Sequence, residues 1–130
     1  MSGGTALAIE RLSVSFAGVR VVDDVSIVVP RGKTVGLVGE SGSGKSVTAL
    51  SILRLNGDAR DGAVVEGRVQ FGDRDLLALS EKDLRAVRGN RIAMVFQDPM
   101  TSLNPVLTVG EQVAEVVRLH EHAPRKVAWQ

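Results

Sequence analysis

Three stretches of the chain alternate between apolar and polar residues, which is the pattern of a half-buried β-strand. In the stretch from Leu7 to Phe16 the alternation changes phase at Glu10-Arg11, so we predict one strand with a bulge or two short strands. Val21 to Val29 predicts a second strand, which Pro30 ends, and Val65 to Phe71 a further one. We expect the first two to be antiparallel.

Two shorter runs are almost continuously apolar, Thr34–Val38 and Ile92–Phe96. Unbroken apolar runs of this length are typical of parallel strands that are covered on both faces. The pattern therefore predicts a buried parallel strand at each position.

Helical periodicity appears after the first of these runs, from Val47 to Leu55, and Asn56-Gly57 follows as a stop signal. Ser80 to Arg88 predicts a short helix with Ser80 as its cap and Asp83 at the third helical position.

Another helix is predicted from Thr108, which forms a capping box with Glu111. We expect this helix, or one just after it, to continue to Gln130. Gln97 to Pro105 contains two prolines and Asn104, so it is predicted to be a loop.

Composition narrows the class of protein. The 130 residues are 44% hydrophobic and 24% charged, as in ordinary globular domains. The net charge of +1, the scattered basic residues and the 3% aromatic content argue against a nucleic-acid surface. The absence of cysteine excludes disulfides, thiolate zinc sites and iron–sulfur clusters. No stretch approaches the roughly 18 apolar residues of a membrane span.

The segment Gly39-Glu-Ser-Gly-Ser-Gly-Lys-Ser46 fits the phosphate-binding pattern G-x-x-x-x-G-K-S/T. Its glycines permit conformations in which successive N–H groups point inward and hold an anion, and the following helix adds its positive end. Lys45 is then placed to reach the β- and γ-phosphates of a nucleotide, and the Ser46 hydroxyl to bind Mg²⁺. The alternative is a glycine-rich turn, against which the flanking strand and helix argue. The loop alone does not separate ATPases, GTPases and kinases.

Further motifs carry a narrower resemblance. Phe16 precedes the loop at the end of a strand, and Gln97 follows an apolar strand. Together with the loop, these positions resemble the ATP-binding subunits of ABC transporters. Val19–Ile27 and above all Phe96-Gln-Asp-Pro-Met-Thr-Ser-Leu-Asn-Pro105 resemble the dipeptide, oligopeptide and nickel importer branch. The similarity extends from about Leu7 to about His120.

This resemblance implies an α/β fold, namely a P-loop NTPase nucleotide-binding domain of ABC type that has an N-terminal antiparallel β-subdomain and is incomplete at its C-terminus. Residues 1–32 and 61–77 would form the antiparallel β region. Residues 33–56 and 91–97 would form the P-loop core, and residues 98–130 the Q-loop and the start of a helical subdomain.

The resemblance also assigns roles to residues. Phe16 would stack on adenine, although the family more often has tyrosine there, and Gln97 would contact Mg²⁺ and the attacking water. The implied ligands are ATP and Mg²⁺, with Ser46 and Gln97 at the metal. The implied ATP-binding residues are Phe16, Gly39, Glu40, Ser41, Gly42, Ser43, Gly44, Lys45 and Ser46.

Asp98 is an alternative metal ligand, because it follows an apolar run as a Walker B aspartate does. Gln97 separates it from that run, Pro99 follows it, and no second acid adjoins it, all of which argue against this role. The L-S-G-G-Q signature, the catalytic glutamate and the switch histidine of the family are not found in this sequence. No catalytic residue is therefore assigned, and we expect no hydrolysis by this chain alone.

By resemblance, the parent protein would hydrolyse ATP to energise import of peptides or a related small solute, at the cytoplasmic face of the membrane. Its partners would be a second ATP-binding subunit, transmembrane permease subunits and an extracytoplasmic solute-binding protein, with no nucleic acid. A nucleotide-binding fragment without turnover, and a soluble P-loop GTPase or kinase, are the alternatives.

Overall fold

The computed structural model describes residues 4–56, 63–98, 103–122, 124 and 126–128. The chain divides into two compact units, Met1–Leu84 and Arg85–Gln130. Each unit is described by itself.

The first unit contains a four-stranded antiparallel sheet. Its strands are β1 (Thr5–Phe16), β2 (Val19–Pro30), β3 (Ala63–Phe71) and β4 (Arg74–Asp75). Their spatial order is β2-β1-β3-β4, so β1 is a central strand that pairs with both β2 and β3. The predicted antiparallel β-subdomain is confirmed, while the division into residues 1–32 and 61–77 stays a prediction.

A β-bulge interrupts the centre of this sheet. The register of β1 shifts between Ile9 and Leu12 against β2, and between Glu10 and Ser13 against β3. Arg11 adopts a positive φ of 51°, and its N–H donates to Ser26 Oγ at 3.0 Å. The phase change at Glu10-Arg11 therefore marks a bulge within one strand, and the alternative of two short strands is wrong.

The core of the first unit lies on this sheet. Ile9, Leu12 and Val14 are buried, because the bulge lets both halves of β1 direct apolar side chains into the interior. Val69 of β3 is buried as well, and further buried residues come from segments outside the sheet, among them Leu53, Leu76 and Leu84.

Helix α1 spans Lys45–Ile52 and packs on β1 and β2. It ends at Leu53, before the predicted stop at Asn56-Gly57, of which Gly57 lies outside the described residues. The Asn56 side chain instead folds back and donates to the Val47 carbonyl at 3.3 Å. Helix α2 spans Glu81–Val87, and Ser80 Oγ accepts from the Asp83 N–H at 3.2 Å, which confirms the predicted cap.

The prediction of a parallel strand at Thr34–Val38 is wrong. In the described part of the chain these residues are in no strand, and Val38 is 92% exposed. A parallel strand needs neighbouring strands for its hydrogen bonds and layers on both faces for its side chains. The run is apolar, but it pairs with no strand among the described residues.

In the second unit the prediction for Ile92–Phe96 is also wrong. Ile92 forms an isolated bridge with Arg88, whereas Val95 is 96% exposed and residues 93–96 are described without strand conformation.

Helix α3 spans Val109–Glu121. It begins with the predicted capping box, in which Thr108 and Glu111 each accept a hydrogen bond from the other's backbone. The helix ends at His122, which has a left-handed conformation, and residues 126–128 form a turn. The expected continuation to Gln130 is therefore wrong over the described residues. Within those residues, no helix is long and apolar enough to cross a membrane.

We predict that Gly67 is required by the bulge. Its φ is +107°, and a Cβ there would lie 2.6 Å from the Arg11 carbonyl oxygen. Gly67→Ala should lower the free energy of unfolding in urea by about 3 kcal/mol or more. The matched control is Gly72→Ala, where φ is +62° and the described residues leave the added Cβ without a neighbour within 4 Å; it should cost only about 1 kcal/mol. Equal losses would contradict the steric argument.

Candidate functional site

The loop Gly39–Ser46 leads directly into helix α1. Gly42 and Gly44 have φ values of +80° and +86°, which glycine adopts without strain. The Ser43 N–H donates to the Glu40 carbonyl at 3.2 Å, and this bond closes a tight turn. The loop therefore forms a tight turn whose glycines adopt conformations of the kind that phosphate-binding loops use.

Gly39 is needed for a close approach within the loop. A Cβ on Gly39 would lie 2.6 Å from Ser43 Oγ and 3.3 Å from Ser43 Cβ. Its φ is not in the left-handed region, so its constraint is one of space. Gly39 thus allows the two ends of the turn to meet.

The Lys45 side chain folds over this turn. Its Nζ donates to the Gly39 carbonyl at 2.8 Å, to the Glu40 carbonyl, and to Ser43 Oγ at 3.1 Å. These bonds hold the ammonium group at the loop by neutral acceptors, and none of the ion pairs among the described residues involves Lys45. A nearby polyphosphate would experience that charge directly.

Helix α1 adds to the positive character of the site. Its first turn reads Lys45-Ser-Val-Thr48 and contains no carboxylate. Gly44 is its N-cap, and no side chain among the described residues caps it. The Gly44 carbonyl accepts from the Thr48 N–H at 2.8 Å and from Thr48 Oγ1 at 2.9 Å. The N–H groups of the first turn precede this bond and are available to an anion.

These residues fit a nucleotide polyphosphate with Mg²⁺. Lys45 supplies a cation at the loop, and Ser46 offers an exposed hydroxyl at the second residue of α1. Among the described residues, no group of three or more histidine, cysteine, aspartate or glutamate side chains could hold a metal by itself.

Phe16 is the last residue of β1 and is half-buried. It pairs with Val19 of β2 and with Ala63 of β3. Strand β2 also contacts the phosphate loop, because a Cβ on Gly44 would lie 3.1 Å from the Val21 carbonyl oxygen. Phe16 and the loop thus adjoin the same short part of β2, while stacking of Phe16 on adenine stays a prediction.

Gln97 and Asp98 lie in the second unit and are exposed. Gln97 occupies a bend after the exposed run that ends at Phe96. Its contact with Mg²⁺ and water stays a prediction. The run Phe96–Pro105, which carries much of the resemblance, lies partly outside the described residues, at positions 99–102.

Sequence reasoning missed a clamp made by the Gln112 side chain. Its Oε1 accepts from the Asn104 N–H at 2.8 Å, and its Nε2 donates to the carbonyls of Asn104 at 3.0 Å and Leu107 at 3.1 Å. The amide thereby satisfies the backbone of the loop before α3. The signal was a glutamine in the first turns of a capped helix, which alone does not name its partner.

A comparison with protein families finds that residues 22–129 match the family described as "ABC transporter". The match includes the phosphate loop, α1, β3 and α3.

Curated relatives are similar over most of the chain. The oligopeptide transport ATP-binding protein AppD of Bacillus subtilis is 49% identical over 84% of this chain and 33% of its own length. The probable peptide ABC transporter ATP-binding protein y4tR of Sinorhizobium fredii is 56% identical over 84% of this chain and 32% of its own. The glutathione import ATP-binding protein GsiA of Escherichia coli is 46% identical over 98% of this chain and 22% of its own. The chain thus spans about a third or less of these relatives.

Among solved structures, a bacterial Atm1-family ABC exporter with ATP bound has a TM-score of 0.52 and 19% identity. The match covers 93% of this chain and 22% of the exporter chain. This similarity shows the ABC ATPase fold, with the antiparallel N-terminal sheet described above.

We predict that Gly39→Ala weakens binding of magnesium tripolyphosphate about tenfold, or ~1.4 kcal/mol, because the new methyl group displaces Ser43. Adding Ser43→Ala should restore part of the affinity, since it removes the nearest atom. Titration calorimetry measures both. Gly36→Ala is the control, because the described residues leave its added Cβ without a neighbour within 4 Å. No recovery in the double variant would contradict the steric cause.

Proposed function

The chain belongs to the ABC transporter family, and from this membership we propose that it binds ATP with Mg²⁺ at Gly39–Ser46 as part of an ATP-binding subunit. In the whole protein, ATP hydrolysis would energise import of peptides or a related small solute. The single observation that carries the proposal is the curled loop with the Lys45 ammonium held above it.

The phosphate end of ATP matches the charge of this loop. Backbone N–H groups and the start of α1 present partial positive charges, and Lys45 presents a full one. The first turn of α1 has no carboxylate to oppose them. We propose that Lys45 exchanges its bonds to the loop carbonyls for phosphate oxygens, at little cost in side-chain entropy because the side chain is already folded over the loop.

Mg²⁺ would be held by the Ser46 hydroxyl together with phosphate oxygens, and by the Gln97 amide in the whole protein. When bound, the ion would supply positive charge that offsets the negative charge of the phosphate oxygens.

The adenine end is proposed to lie on Phe16. The ring occupies the end of β1 and is half-buried, so one face can pack on the sheet while the other meets a base. Phenylalanine offers the stacking surface of the family's usual tyrosine without its hydroxyl group. Stacking of a base on an aromatic side chain contributes about 1–3 kcal/mol.

Import and partners follow from the names of the relatives. AppD and GsiA are named for oligopeptide transport and glutathione import, and we propose the same kind of solute here. The remaining partners would be a second ATP-binding subunit, permease subunits and a solute-binding protein, with this subunit peripheral at the cytoplasmic face of the membrane. Turnover needs a positioned water in addition to the phosphate clamp, so we assign hydrolysis to the whole protein.

We predict that Lys45→Ala lowers the affinity for MgATP at least tenfold, because it removes the full positive charge at the loop. Fluorescence titration with a labelled ATP analogue measures the affinity. Lys33→Ala is the control, since Lys33 is an exposed lysine of the same unit outside the loop. An unchanged affinity in Lys45→Ala, or equal losses in both variants, would overturn the proposed site.

We predict that Phe16→Ala weakens MgATP binding by about 5- to 150-fold, which corresponds to ~1–3 kcal/mol, and leaves magnesium tripolyphosphate binding unchanged. Only ATP has a base to stack. The control is Phe71→Ala, which removes a half-buried ring at the opposite end of β3. Loss of affinity for both ligands would mean that Phe16 supports the fold alone. Preferred binding of GTP, unaffected by Phe16→Ala, would favour the soluble P-loop enzyme.

A further inference from the structure

Strand β2 lies directly against the start of helix α1. A Cβ on Gly44 would lie 3.1 Å from both the Val21 carbonyl oxygen and Val22 Cγ2. Gly44 is at once the last glycine of the phosphate loop and the N-cap of α1. The position where the loop becomes a helix is therefore packed against two consecutive residues of β2.

This contact is tight on both sides. Val22 is only 5% exposed, so its side chain has few alternative rotamers that avoid its neighbours. The Gly44 carbonyl is fixed by two hydrogen bonds from Thr48, which is itself buried. Val22 thus limits the positions open to Gly44, from which the first turn of α1 continues.

The predicted strand Thr34–Val38, which directly precedes the loop, does not form and so does not pack against it. Residues 33–38 precede the loop, are exposed and carry no strand conformation. Within the described residues of the first unit, the packed support of the loop comes from α1 and from the antiparallel sheet through β2.

We infer that Val22 is a positioning residue for phosphate binding, which acts by holding Gly44 and so the N-terminal turn of α1 in the orientation that an anion meets. The inference rests on the proposed function for its consequence in binding, and on the geometry alone for its consequence in structure. Val22 lies in the antiparallel sheet, and the alternating pattern of β2 gave no sign of its contact with the loop.

The test compares two buried valines in the full 130-residue chain. Val22→Ala removes the contact with Gly44. Val69→Ala truncates a fully buried valine of β3, whose cross-strand partner is Ile9 of β1, and should cost a similar amount of stability. Two quantities are measured: the hydrogen exchange rate of the Thr48 amide without ligand, by NMR, and the affinity for magnesium tripolyphosphate.

We expect Val22→Ala to raise the exchange rate of the Thr48 amide about tenfold beyond Val69→Ala and to weaken tripolyphosphate binding at least fivefold, while Val69→Ala keeps the wild-type affinity. Equal exchange rates in the two variants would overturn the positioning role, whatever the affinities. If the wild-type chain fails to bind MgATP or tripolyphosphate, the proposed function fails, and the exchange rates still decide the role of Val22. Should Val22→Ala not fold, Val22→Thr takes its place and should give a Thr48 exchange rate above that of Val69→Ala; an equal rate would overturn the positioning role.

Discussion

The left-handed turn at Gly44 is the constraint on which the site depends. A side chain at this position would meet β2 and would also be strained at a φ of +86°, so glycine satisfies a steric and a conformational requirement together. From this residue the chain enters α1, whose first N–H groups define the direction from which an anion is attracted. The geometry of the phosphate loop therefore depends on how Gly44 packs against β2 of the antiparallel sheet.

That sheet has a constraint of its own at the bulge. Arg11, Asp24 and Gly67 have positive φ on three different strands, and two serine hydroxyls accept backbone N–H groups there, from Arg11 and from Asp24. These bonds supply what the shifted register removes, since an unpaired backbone N–H in a central strand is costly. The bulge keeps Ile9 and Leu12 both buried despite their odd spacing.

Local signals in the sequence predicted local structure well. The capping box at Thr108, the cap at Ser80 and the bulge at Glu10-Arg11 each depend on residues close in the chain, and all three are present. The parallel strands at 34–38 and 92–96 depend on partners that a run of apolar letters does not identify. For the same reason the motif predicted the loop residues but not the contact of Val22 with Gly44. A valine in an alternating strand predicts a buried side chain and does not identify its partner.

Binding a polyphosphate and cleaving it also differ in how far apart in the sequence the required residues lie. The elements proposed to bind a polyphosphate, the Lys45 ammonium group and the start of α1, lie within one short segment, Gly39–Ser46. Cleavage also needs a water held in line with the scissile bond, and distant parts of a chain must meet to hold it. Gln97, the residue predicted to contact that water, follows an exposed run that has not entered a sheet. A short segment can therefore carry the elements of phosphate binding, whereas a site for the attacking water depends on residues far apart in a sequence.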